Sequence, residues 1–337
     1  MDYSLITSKE EIKNLLFENT CQILKKANEV KAGHIGGSIS MSQFLLPLIY
    51  FLEIENNLEY KLVLSKGHAS LGLYSILYLL KINKQPFLNY CTKNINSFHG
   101  HTCSKSFKKL LTSSGSLGHG LPLAMGYAYA QGLKKINEPV ICILGDGELQ
   151  EGQIWESINA KISSDLKIII DMNELQSDFF TKDTSDIGNI KKKLQAFRLR
   201  VKTIDGHSYH QVSETLKKID NYDCIILKTI KGKGVYDFEG NKKIYSKKNY
   251  PFHSGAPQYE AYVKAINEIS NKINKFITKD TLFKLEKYIN SDVKKNINNQ
   301  ASLINMYGDF ICDKFQKNKK LVCLDADLAI DHGILKI

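Results

Sequence analysis

The chain has 337 residues and a formal net charge of +11, carried almost wholly by lysine; Arg198 and Arg200 are its only arginines, so the charge does not read as a nucleic-acid surface built for bidentate recognition. With 43% hydrophobic and 24% charged residues it suits a folded core and excludes a disordered or collagen-like chain. The longest apolar runs, Phe44–Leu52 and Leu71–Leu80, fall short of the ~20 residues a membrane helix needs, and the acid-bearing start does not read as a signal peptide, so no membrane partner and a cytoplasmic location are expected.

In chain order, residues 8–29 have the spacing of an amphipathic helix, with Ser8 as N-cap and Glu11 three residues later. The Gly-rich turn KAGHIGGS follows, then an apolar helix over 40–53, a short buried strand at Leu62–Ser65 and a helix over Ala69–Lys81. A second Gly-rich turn, Ser114–Gly118, precedes a helix over 121–132. Val140–Leu144 is a buried strand ending in Gly145-Asp146-Gly147, and 148–163 has helical spacing. Lys167–Met172 is a strand ending at Asn173, Lys191–Lys193 reads as solvated helix surface, and Val201–Ile204, a helix over 208–219 and Cys224–Thr229 continue the alternation.

Strands alternating with helices predict an α/β fold with a mostly parallel sheet of about five or six strands, covered by helices on both faces. Residues 1–260 are expected to form that domain, 261–300 a Lys- and Asn-rich helical linker, and 301–337 the incomplete opening of another α/β unit, with a helix over 301–316 and a strand at Leu321–Leu324. The seven cysteines are scattered and form no CxxC pair, which predicts free thiols.

Asn173 follows Asp146 by 27 residues, and both stand at the C-terminal ends of predicted strands, the edge where parallel α/β sheets bind ligands. A carboxylate, a side-chain amide and a backbone carbonyl are hard oxygen donors suited to Mg²⁺ or Ca²⁺, which would neutralise a bound diphosphate. The plain alternative is a strand-end turn in which Asp146 caps the next helix. Alone, each histidine reads as a satisfied structural one.

The segments GDGELQEGQIWES and IIIDMNELQSD resemble the thiamine-diphosphate motif of transketolases, including its GDG-x-LQEG form. The likeness runs from residue 8 to about 260. It implies the thiamine-diphosphate-binding fold, with Asp146, Asn173 and the Leu175 carbonyl holding the metal and Gly147 packing on the diphosphate. His34 in GHIGGS, His68 in LSKGHASLGLY, His101 in FHGHTCS and His253 in FHSGAP match the family's histidine motifs. By resemblance His68 and His253 contact the diphosphate, and His34, His101 and His253 line the sugar channel and move protons. Ser116, Leu117 and Gly118 in SGSLG resemble the loop that receives the aminopyrimidine ring, and His119 stands where the family usually has Gln. Lys66 and Lys231 resemble lysines near the diphosphate; the alternative is solvated surface. Glu151 and Glu156 match acids at the family's subunit contact; the alternative is first-turn acids favoured by the helix dipole. His99 is a weaker candidate, and His207 and His210 read as structural.

The implied activity is transfer of a two-carbon ketol unit from a ketose, by default phosphorylated, to an aldose, with His34 or His253 taking the proton from the C3 hydroxyl. LDADLA near the C-terminus resembles the opening strand of the family's pyrimidine-binding domain. That domain supplies the glutamate that activates the cofactor, and the last glutamate here is Glu286. The expectation is therefore a split enzyme, inactive alone, paired with a separate chain carrying the pyrimidine-binding domain and self-associating across a two-fold; a truncated chain is the alternative. Other readings kept open are a 1-deoxyxylulose-5-phosphate synthase-like enzyme and a non-catalytic cofactor-binding scaffold.

Overall fold

The computed structural model describes residues 9–272 apart from 94–95, 137, 161–164, 241–244 and 246–248. In chain order its helices are α1 (Lys9–Val30), α2 (Ile35–Ile49), α3 (Ser70–Leu79), α4 (Gln85–Leu88), α5 (Gly120–Leu133), α6 (Gly152–Asn159), α7 (Thr181–Thr184), α8 (Ile190–Ala196), α9 (Tyr209–Leu216) and α10 (Tyr259–Lys272). The strands are β1 (Lys61–Leu64), β2 (Val140–Gly145), β3 (Leu166–Met172), β4 (Leu175–Gln176), β5 (Phe179–Phe180), β6 (Val201–Asp205) and β7 (Cys224–Lys228).

Five strands form one parallel sheet in the order β1-β2-β3-β7-β6, and β4 and β5 pair as a separate antiparallel hairpin. The strand pattern explains why both faces are covered. Leu62, Leu64, Ile141, Ile143, Ile169, Ile225 and Leu227 point into a core shared with α1, α2, α3, α9 and α10. Their neighbours Val63, Val140, Cys142, Leu144, Ile168, Ile170, Cys224 and Ile226 point into a second core against α5, α6 and α8. In β1, β2, β3 and β7 these alternating apolar residues leave neither face for water, as buried parallel strands require, whereas the edge strand β6 is only partly covered.

The strands expected between residues 62 and 229 appear within a residue or two of their predicted ends. Three helices differ. Helix α2 starts at Ile35, because Gly36 and Gly37 lie inside its first turn and not in a loop. It runs on through a wider turn at Tyr50–Glu55, giving 21 residues long and apolar enough to cross a membrane by length and composition. Its place in the core accounts for that composition: all but one residue of α2 is buried. The helix expected over 148–163 is broken, with a tight turn at Gly147–Gln150 and extended backbone at Glu151 before α6. The side chain of Glu148 turns inward there (below). Residues 261–272, expected in the linker, belong to α10, whose Tyr262, Ala265, Ile266 and Ile269 are buried in the first core. Ser8, the rest of the linker and the 301–337 unit lie outside the described residues.

Candidate active site

Every sheet strand that carries a predicted motif delivers it to the same edge. β1 ends at Leu64 and hands over to Ser65, Lys66 and His68; β2 ends in Gly145-Asp146; β3 leads to Asn173; β7 leads to Lys231. Between them lies a cleft of about 1010 Å³. Its walls include His34, His68, His101, His253, Lys66, Lys231, Ser116, Leu117, Asp146, Gly147, Glu151, Asn173 and Leu175.

On one side the turn after β3 meets the turn after β2. The Asp146 carboxylate accepts from the Gly147 N–H at 2.9 Å and, through its other oxygen, from the Glu174 N–H. The Asn173 Oδ1 accepts from the Leu175 N–H at 3.0 Å, an Asx turn. Glu174 sits at φ 64° to make this possible, a left-handed conformation uncommon outside glycine. Burial, and next the Asp171 carboxylate, push Asp146 up to about 7 despite the Glu174 N–H, Lys66 and Lys231. Among the described residues no three His, Cys, Asp or Glu side chains gather as a metal site. A set of one carboxylate, one amide and one carbonyl does not depend on such a gathering. Each carboxylate oxygen of Asp146 keeps a second acceptor position, so the donors fit a hard divalent cation.

On the other side stand the imidazoles. The ring centroid of His34 lies 5.4 Å from His68, 5.7 Å from His101 and 5.2 Å from His253, and His68 lies 5.6 Å from His253. They come from segments up to 219 residues apart, and specific contacts assemble them. The FHSGAP segment docks on the start of α2: Gly36 N–H donates to the Phe252 carbonyl at 2.9 Å, and His34 pairs with Gly255. A Cβ on Gly36 would lie 2.4 Å from the Tyr250 hydroxyl, so only glycine allows that approach. Helix α3 holds the His101 segment through Ser70 Oγ, which donates to the Gly100 carbonyl at 2.8 Å, and Tyr74 Oη, which accepts from the Cys103 N–H at 3.0 Å.

Charging these rings is unfavourable. Burial first, then His101 and Lys231, lower His34 to about 4. Burial also holds His68, His101 and His253 below the usual imidazole range, with Lys66 the next cause at His68 and Lys231 at His253. All four are neutral at pH 7. The Lys231 Nζ donates to the Ser177 carbonyl at 2.8 Å and lies 3.1 Å from His253 Nδ1. An ammonium only donates, so Nδ1 of His253 accepts and its ring proton sits on Nε2. The buried Nδ1 of His34 has no hydrogen-bond partner among the described residues.

Lys66 lines the cleft, yet its Nζ pairs at 2.6 Å with Asp171, both fully buried. Asp171 also accepts from Thr229 Oγ1. The signal for Asp171 is a lone charge inside the apolar strand KIIIDM, which has to be paired. Glu148 is a second residue the sequence reading passes over; its carboxylate accepts from Ser65, Gly118 and Gly145. Gly118 has φ +82°, and a Cβ there would meet Glu151 Cβ at 2.8 Å. His99 and His119 are exposed and outside the cleft wall. His207 does not line the cleft; its Nε2 accepts from the Ile230 N–H at 2.7 Å, beside Lys231. The orphaned His34 nitrogen, the Lys231 ammonium and the glycine-tight turns fit a polar, anionic, ring-bearing cofactor.

The family model of the transketolase thiamine diphosphate binding domain matches residues 19–249. The chain belongs to the transketolase family. It is 30% identical over 230 residues to the 6-deoxy-6-sulfo-D-fructose transketolase subunit SqwG of Clostridium sp. (strain MSTE9), covering 64% of this chain and 84% of the relative. It is 31% identical over 263 residues to one of the named subunits of the apulose-4-phosphate transketolase of Actinobacillus succinogenes, covering 74% and 92%. Among solved structures, the transketolase of Campylobacter jejuni superposes with a TM-score of 0.62 at 24% identity, covering 83% of this chain and 46% of that one. The chain is thus of the thiamine-diphosphate-dependent transketolase type, and it spans about half the length of the transketolases of known structure that it matches.

Proposed function

We propose that this chain is the diphosphate-binding component of a two-chain transketolase, moving a two-carbon ketol unit from a ketose to an aldose. The observation that carries the reading is one cleft that joins Asp146 and Asn173 on one wall to four neutral imidazoles on the other. The two-chain form is supported by relatives named as subunits, of which this chain covers 84% and 92%. Their names also carry a sulfonated and a phosphorylated sugar, so an anionic ketose is the substrate class we favour. Two copies of each chain, related by a two-fold, would complete the assembly. The described cysteines are all free thiols, which suits the reducing cytoplasm.

Asp146, Asn173 and the Leu175 carbonyl would hold Mg²⁺ or Ca²⁺ against the diphosphate, with Gly147, His68 and Lys231 beside it. Ser116, Leu117 and Gly118 would receive the aminopyrimidine ring, Glu151 would face the neighbouring protomer, and Lys66 would act through its pairing with Asp171. When bound, thiamine diphosphate supplies the nucleophilic carbon and stores the electron pair of the two-carbon fragment.

The chain's own residues divide the proton work. With Nδ1 turned to Lys231, His253 presents an N–H and donates to a sugar oxygen. His34 keeps an acceptor nitrogen and takes the proton of the C3 hydroxyl as the C2–C3 bond breaks. Acceptance at one ring and donation at the other fit neutral imidazoles, which can do either near pH 7. His101 orients the remaining hydroxyls. The test is to assay ketol transfer by the purified chain, then by the chain mixed with a candidate partner carrying a pyrimidine-binding domain. Activity only in the mixture, with no CO₂ released, supports the reading. Full activity from this chain alone defeats the two-chain form, and pyruvate decarboxylation would favour the synthase-like alternative.

A further inference from the structure

The division of proton work among the histidines leaves one deeply buried carboxylate without a task. Glu148 is 2% exposed and has no ion-pair partner among the described residues. Its oxygens instead collect donors from three separate segments that border the cleft. Oε1 accepts from the Ser65 hydroxyl and from the Gly118 N–H at 2.9 Å, and Oε2 accepts from the Gly145 N–H at 3.2 Å. Ser65 begins the turn that carries Lys66 and His68. Gly118 closes the Ser114–Gly118 loop, of which Gly115, Ser116 and Leu117 line the cleft. Gly145 is the first residue of the turn that carries Asp146.

We propose that Glu148 is a positioning residue, a buried clamp that fixes the Ser114–Gly118 loop and the His68 turn relative to Asp146 before any cofactor arrives. The inference rests on the proposed cofactor site. Two further contacts show that the clamp works on tightly fitted parts. A Cβ on Gly120 would lie 2.3 Å from Ser65 Oγ, so Ser65 is pressed against the start of α5. The far end of the loop is fixed separately, by the Ser114 N–H donating to the Thr102 carbonyl at 3.0 Å. Between those two anchors the loop has only the Glu148 bond at Gly118 to hold its inner edge among the hydrogen bonds described. Three converging donors require an all-acceptor side chain, which a carboxylate is and an amide is not. In Glu148→Gln the NH₂ must face either the Gly145 N–H or the Ser65 and Gly118 donors, so at least one tie opens while the side-chain volume is kept.

The experiment uses the full chain, wild type, Glu148→Gln and the milder Ser65→Ala, which removes one donor and keeps the carboxylate. Backbone hydrogen exchange without cofactor is read at 65–68 and 114–119, with β3 and β7 as internal controls, and thiamine diphosphate plus Mg²⁺ binding is then titrated with and without the partner. Expected are faster exchange confined to those two segments and cofactor affinity lower by about 10- to 100-fold in Glu148→Gln, the size of loss that supporting residues around a bound group produce. Ser65→Ala should show the same pattern more weakly. Unchanged exchange with unchanged affinity overturns the clamp, and so does an affinity loss accompanied by uniformly faster exchange in β3 and β7. A wild-type chain that binds no cofactor would overturn the reading of the site; the cofactor-free exchange decides the clamp independently.

Discussion

The two walls of the cleft are built on opposite principles. The Asp146–Asn173 wall consists of two strand-end turns whose polar atoms are satisfied by backbone amides one to 28 residues away. The imidazole wall is gathered from four distant segments, and its rings remain neutral, crowded and, at His34 Nδ1, without a partner among the described residues. The first wall is a local structure that a cation would complete. The second is a tertiary structure whose polar capacity, on the proposed reading, serves a substrate. Stability on one side and reactivity on the other follow from that division.

The largest effect expected from breaking this contrast is at Asp146. Asp146→Ala should remove the Mg²⁺-dependent rise in melting temperature that a bound cofactor gives, with far-UV circular dichroism unchanged. A variant that still shows the full rise would show that the turn does not hold the metal. Next comes the imidazole wall. In the reconstituted enzyme His34→Ala should cost about 10²–10⁴-fold in kcat, the size of one acid–base contribution. His253→Asn keeps an N–H donor and should cost less, chiefly in KM. Equal losses in kcat would deny the division of labour between the two rings.

The contrast also has a pH signature. The His34 imidazole goes from 6.5 to about 4 on folding. Between those values the unfolded chain binds the proton and the folded chain does not, so stability is lost as pH falls from about 6.5 toward about 4. For His34 alone the loss at the acid end is up to about 3 kcal/mol, and the other three rings act in the same direction. Denaturant titrations from pH 7 to pH 4.5 should show the decline, and His34→Asn should flatten it. A flat wild-type profile would mean the rings are not held neutral by the fold. The smallest expected effect is at Gly36→Ala, where a methyl would push against Tyr250 and the Phe252 carbonyl. A loss of about 1–3 kcal/mol is expected from such overpacking, together with faster exchange around His253. A neutral substitution would indicate that the two histidine segments are not locked by this contact.

The same division explains what the sequence makes legible. Strand-end Gly145-Asp146-Gly147 and Asn173 are readable because a short apolar run fixes both the strand and the edge at which it ends. The histidines are readable only through the likeness of their flanking motifs, since no local pattern says that His34 and His253 will meet. Lys66 looks like a free cation until the fold brings Asp171 alongside it. Glu148 looks like a first-turn acid, and nothing near it in sequence announces Ser65 or Gly118 as partners. Gly36 and Gly37 suggest a turn, and close approach by Tyr250 is what places glycine inside the helix instead.

The strand order β1-β2-β3-β7-β6 carries a consequence for how the chain is made. β7 is inserted between β3 and β6, so β6 leaves the ribosome before β7, the only strand it pairs with among the described residues, exists, and β3 keeps an open edge until Cys224–Lys228 arrives. Non-local pairing of this kind is slow and leaves sticky edges exposed in the meantime. A newly synthesised chain therefore cannot close the right half of its sheet one strand at a time; it must wait, and then add β7 and β6 together. Ribosome-stalled chains ending before residue 224 should be open to proteolysis between β3 and β6, and chains long enough to expose β7 should become resistant there in a single step.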